Sequence, residues 1–143
     1  MDSQNTVGYV FTCIDARHWK REAEFIPQVE KLLGVGDVFP QTIPGPDGAI
    51  INPDRTGDYE ALMRSFEIIR EHKGATVYAV IGHYECAGHQ ASDEQHREDT
   101  LEAAKKVAGE IKAPVWALIL RPNVEGEGPT WILEKLDDNP MVS

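Results

Sequence analysis

Residues 7–19 read VGYVFTCIDARHW, Val7 to Trp19. The first half is short, continuous, and partly β-branched or aromatic, which is the pattern of a strand buried on both faces. The second half places Cys13, Asp15 and Arg17 at two-residue steps. In an extended segment alternate residues project to one side. The three are therefore expected together, just past the carboxyl end of the strand.

A second run of this kind, Thr76 to Ile81, leads into GHYECAGH, which contains His83 and Cys86. A third buried strand is expected over Val115 to Leu120. Helical patterns lie between these runs. Phe25, Ile26, Val29, Leu32 and Leu33 share one face, with Pro27 in the first turn and Gly34 and Gly36 as the stop. Val38 to Ile43 reads as a weaker strand because of Pro40. Ile43 to Asp54, IPGPDGAIINPD, carries three prolines and two glycines and is expected to be irregular, a loop of the kind that often serves function.

The clearest helix is Asp58 to Lys73, with Tyr59, Leu62, Met63, Phe66 and Ile69 as its apolar stripe and Gly74 as its end. Leu101, Ala104, Ala108 and Ile111 mark another, capped by Asp99 or Thr100. Thr130 to Leu136 closes an edge hairpin after the turn NVEGEG. Strands alternating with helices predict one α/β domain over residues 1–143. Its central sheet would be mainly parallel, with helices on both faces and an antiparallel hairpin at one edge.

The 143 residues can bury a real core. The formal net charge of -10 repels phosphate backbones and argues against a nucleic-acid partner. No apolar run approaches the roughly 20 residues a membrane helix needs, and MDSQNT lacks the order of a signal peptide. A cytoplasmic location is expected. The acidic stretches SDEQHRED (Ser92 to Asp99) and LDD read as solvated surface, as do His18, His72 and His96. Trp19, Trp116 and Trp131 read as core or interface.

In a parallel sheet, ligands gather beyond the carboxyl ends of the strands. The only two cysteines, His83 and a charge pair all fall on that edge. Two thiolates and an imidazole suit Zn2+, and three protein ligands leave a fourth position open, as catalytic zinc requires. His89 continues the three-residue step from His83 and Cys86 and is the alternative fourth ligand, although a position behind the ligands or on the surface suits it better. Asp15 would be a fourth ligand or accept a proton from zinc-bound water. Arg17 would hold Asp15 through two parallel hydrogen bonds. Zinc lowers the pKa of bound water to roughly 7, which gives a hydroxide able to attack a carbon such as that of CO2. A thiol-dependent redox or transferase protein is the other class, with Cys13 or Cys86 made nucleophilic by Arg17.

CIDAR followed by HYEC resembles the β-class carbonic anhydrases, whose signature is Cys-x-Asp-x-Arg and then His-x-x-Cys. The resemblance implies reversible hydration of CO2 to bicarbonate. It implies zinc held by Cys13, His83 and Cys86, with Asp15 and Arg17 as the dyad beside it, and a homodimer or higher homo-oligomer with the site near the subunit interface. Gln4 stands where many members have a pocket glutamine, and Gly88 matches the second of the glycines after the last cysteine. The chain departs from the family at Ala87, where the first of those glycines would be, and in lacking the Arg-Asn-Ala-Gly segment. IPGPDGA stands in its place and carries no cation. Few residues precede Cys13, so the family's long N-terminal helices are expected to be missing. These departures leave two alternatives: a catalytically silent zinc domain, or a hydrolase of a CO2-like molecule such as carbonyl sulfide or carbon disulfide.

Overall fold

The computed structural model describes residues 6–143. Its strands are β1 (Val7–Thr12), β2 (Asp37–Thr42), β3 (Val77–His83), β4 (Trp116–Pro122) and β5 (Trp131–Lys135). The helices are α1 (Phe25–Leu33), α2 (Pro46–Ile51), α3 (Thr56–Lys73) and α4 (Asp93–Ile111). The strands form one sheet in the order β2-β1-β3-β4-β5. All neighbours are parallel except β4 and β5, which pair antiparallel with Leu120 opposite Leu133.

Strand alternation divides the core. Tyr9, Phe11, Tyr78 and Val80 face α2, α3 and α4, meeting Ile50, Phe66 and Val107. Val10, Ala79, Ile81 and Leu118 face the other way, toward Phe25 and Val29 of α1. Both faces of the sheet are thus covered, which is why β1 and β3 read as continuous apolar runs. Pro40 is accommodated because β2 lies at an edge. At the opposite edge, Gln28 of α1 donates from Nε2 to the Trp131 carbonyl at 2.8 Å and accepts from the Leu133 amide at 3.0 Å. Those contacts blunt strand β5.

Chain direction reverses between β1 and β3. From β1 the chain crosses through α1 to β2 on one side, and from β2 it crosses back through α2 and α3 to β3 on the other. A crevice opens at such a point, beyond the carboxyl ends of the two strands. Cys13 follows β1 directly, and His83 is the last residue of β3.

Three expectations are corrected. The segment over residues 43–54 is not irregular, since it contains α2 and a 3-10 turn over Pro53–Arg55. Its prolines and glycines act as helix boundaries: Gly45 takes a left-handed conformation at the N-cap, and Pro46 occupies the first turn. α4 begins at Asp93 with Ser92 as cap, whose side chain accepts from the Gln95 amide, several residues before the expected Asp99 or Thr100. The first turns of α4 are polar, so an apolar stripe could not reveal them. α3 starts at Thr56, slightly before Asp58.

Candidate metal centre

β1 ends at Thr12, and the chain after Cys13 turns into a short 3-10 helix over Ala16–Trp19. The expected extended path through Cys13, Asp15 and Arg17 is therefore corrected. Asp15 caps the turn by accepting from the Arg17 amide at 2.9 Å. The turn folds Arg17 back onto Asp15 and carries His18 inward.

Cys13, His83 and Cys86 are all buried, and their donor atoms lie within 4.8 Å of one another. The two sulfurs are 4.0 Å apart and both cysteines are free. His83 Nδ1 is 2.6 Å from the Tyr84 carbonyl, so that nitrogen carries the proton and donates. His83 Nε2 is left with a free lone pair, buried and without a partner among the described residues. Fixing the remote nitrogen of a ligating imidazole through a carbonyl is how proteins orient such ligands. The donor set and the orphaned nitrogen fit a metal ion, and these three residues can hold one.

Arg17 ties the two motifs together. Its Nη2 donates to Asp15 Oδ2 at 2.7 Å and its Nε to Asp15 Oδ1 at 3.0 Å. Nη1 reaches Glu85 Oε1 at 2.9 Å and Nη2 the Glu85 carbonyl at 3.1 Å. Glu85 lies between His83 and Cys86 and adopts a left-handed φ of 59°. The guanidinium also sits 4.9 Å from the Trp131 ring. Hydrogen bonds from Arg17 hold the Asp15 carboxyl well below the usual carboxylate range. One oxygen of Asp15 still lies within 4.8 Å of ring nitrogens of His18 and His83.

The Cys13 thiol is pushed down, chiefly by its hydrogen bond with Cys86, and the Cys86 thiol is pushed up by the same contact and by burial. A proton shared by two close sulfurs is easy to remove once and hard to remove twice. His18 is lowered to about 4, first by burial and then by the neighbouring His83 ring.

A family model described as "Putative carbonic anhydrase" matches residues 3–120. The chain belongs to this family. No curated protein matches the chain. Membership implies a small-molecule substrate for this carbonic anhydrase-like chain, and among the described residues no helix is long and apolar enough to cross a membrane.

The remaining candidates fall as follows. Gln4 lies outside the described residues. Gly88 packs against Pro44 and Gly45 so closely that a Cβ there would sit 2.6 Å from the Pro44 carbonyl carbon. His89 is outside the cysteine group and binds Asp99 instead, at 2.6 Å. The expectation that His18 and His96 are solvated is corrected: they are 1% and 0% exposed. His18 is packed edge-on at 4.2 Å from His83 and 4.4 Å from Trp131. SDEQHRED is likewise only partly surface, since His96 and Asp99 are buried. Trp131 is buried, but Trp19 is exposed and donates to the Cys13 carbonyl at 3.3 Å.

Sequence reading passed over three contributors: His18, Glu85 and Arg55. Arg55 brings a cation to the IPGPDGA loop from the following turn, donating to the carbonyls of Pro44 at 2.9 Å and Gly88 at 3.3 Å. His18 alone carried a signal, as a histidine directly after the Cys-x-Asp-x-Arg pattern.

Proposed function

We propose that this chain is a zinc-dependent carbonic anhydrase that hydrates CO2 reversibly to bicarbonate. Family membership and the convergence of Cys13, His83 and Cys86 at the carboxyl ends of β1 and β3 support the reading, and the convergence carries it. A zinc ion held by two thiolates and an imidazole supplies Lewis acidity and lowers the pKa of water to about 7.

The chain's own residues do the rest. The Tyr84 carbonyl orients His83 so that Nε2 faces the two sulfurs. Asp15, kept ionised by Arg17, accepts a hydrogen bond beside the ligands and orients the attacking water. Arg17 fixes Asp15 and the His83–Cys86 turn in one frame. Gly88 and Gln4 belong to the substrate pocket in this reading. The 143 residues act as one domain, working in the cytoplasm as a homodimer or higher homo-oligomer.

The test pairs metal analysis with stopped-flow CO2 hydration on purified protein. Wild type should contain stoichiometric zinc, and Cys86→Ser should lose it. Asp15→Asn should keep its zinc and lose roughly 100-fold or more in rate, the usual contribution of a positioned acid or base. The wild-type rate should rise with pH through an ionisation near or above neutral. Zinc-loaded wild type without hydration activity would leave the silent-domain reading, which the missing Arg-Asn-Ala-Gly segment motivates.

A further inference from the structure

Beneath the loop that follows Cys86 lies a second cluster of ligating side chains, and it contains no sulfur. Asp47 of α2, His89 of the loop and His96 of α4 place donor atoms within 4.8 Å of one another. Asp47 and His96 are 1% and 0% exposed. The cluster shares no residue with Cys13, His83 and Cys86.

Its hydrogen bonds are incomplete in an informative way. His96 Nδ1 lies 2.9 Å from Asp47 Oδ2, yet Asp47 Oδ1 and His96 Nε2 are buried without partners among the described residues. A buried polar atom without a partner is costly and rare, so a self-contained Asp-His pair would not leave two of them. His89 is oriented from behind: its Nε2 meets Asp99 Oδ2 at 2.6 Å, while Asp99 Oδ1 accepts from Gln95 Nε2 at 2.7 Å. With Nε2 bound to a carboxylate, His89 offers Nδ1. That nitrogen faces the first turn of α2, since a Cβ at Gly48 would stand 2.5 Å from it. Gly48 follows Asp47 directly, so a bare backbone leaves room for the imidazole beside that carboxylate. A carboxylate behind a histidine is the usual outer support of a metal-ligating imidazole.

We propose that Asp47, His89 and His96 form a second metal site, taking a divalent first-row transition cation through two imidazoles and one carboxylate. This donor set suits Zn2+ and also Fe2+ or Co2+, and lacks the softness that thiolates give the first site. Asp99 is a positioning residue that orients His89. A cation there joins α2, the loop after β3 and α4, adding to the bonds from Arg55 to the Gly88 carbonyl, from His89 to Asp99 and from Lys106 to the Ile50 carbonyl.

The experiment titrates metal-stripped full-length protein with Co2+ and reads both stoichiometry and absorption. Wild type should take up about two equivalents, one with intense thiolate charge-transfer bands and one with weak d–d bands alone. His89 is the most accessible of the three ligands, so His89→Gln should keep the fold. It should bind about one equivalent, with the charge-transfer bands intact. Asp99→Asn should weaken the second equivalent about 10- to 100-fold. Uptake by wild type of a single equivalent that carries the charge-transfer bands, or a second equivalent unchanged in His89→Gln, would overturn the proposal. Absence of charge-transfer bands in wild type would instead count against the sulfur site and leave this one standing.

Discussion

Arg17 serves two segments at once, with a bidentate pair to Asp15 and two further bonds to Glu85. A lysine keeps the charge but cannot donate in parallel to a carboxylate. Under the proposed function, Arg17→Lys is therefore expected to retain its metal and lose about 100-fold in kcat, because misplacement of a catalytic group by about 1 Å has that effect. Metal content and hydration rate, measured on the same preparation, check it; unchanged kcat would mean that the fork plays no part. At this scale the sequence was legible where residues are chemically rare. Two cysteines and a neighbouring histidine can be paired by spacing and by the strand ends they follow. Burial was not legible. His18 and His96 look like surface residues in charged company, and only tertiary packing removes them from water. The path after Cys13 was misread for a related reason. The side chain of Asp15 accepts from a backbone amide two residues on, and that local bond turns an extended segment into a cap.

Among the elements, α2 shows how Pro and Gly mislead. Read as breakers they predict a loop, but at the N-cap and in the first turn they begin a helix. α2 matters because its entry at Pro44 and Gly45 rests directly on Gly88, and Cys86 lies two residues before Gly88. Gly88→Ala would bring a Cβ within 2.7 Å of the Gly45 amide nitrogen and closer still to Pro44, with backbone on both sides and no flexible side chain to yield. The loops must separate, and overpacking of this kind costs about 1–3 kcal/mol. A lower denaturant midpoint and faster metal loss to a chelator are expected together. A variant with wild-type stability would show that the two loops are free to part. The core strands and the apolar faces of α1 and α3 were readable because periodicity reports burial. The start of α4 was not, because its first turns expose most of their residues and bury only His96 and Asp99.

For the whole molecule, alternation of strands and helices sufficed to predict a covered parallel sheet with an antiparallel edge. Strand order is a long-range property that no local pattern encodes, and it is the order that sets β1 beside β3. That arrangement also stacks an aromatic layer on one face of the sheet: Tyr9 meets Phe66 edge-on at 5.2 Å, and Phe66 meets Tyr78 at 5.2 Å. Tyr9 is 1% exposed, and its hydroxyl donates to Gln41 Oε1 at 3.1 Å. Burial pushes the Tyr9 phenol above its ordinary value of 10.0, and burial together with Glu110 pushes Tyr59 up to about 12. A phenol that ionises at higher pH in the folded than in the unfolded chain stabilises the fold fully below pH 10, and that stability is lost as pH rises beyond it. For Tyr9 the loss approaches about 1.4 kcal/mol per pH unit. Tyr9→Phe removes the titration and the hydroxyl's hydrogen bond, so at neutral pH it should be the less stable protein by about 1 kcal/mol. Above pH 10 the difference should shrink and then reverse, because only the wild type is forced to ionise a buried phenol. Urea midpoints of the two proteins across that range decide the matter, and a gap that stays constant would mean that Tyr9 reaches solvent without unfolding the sheet.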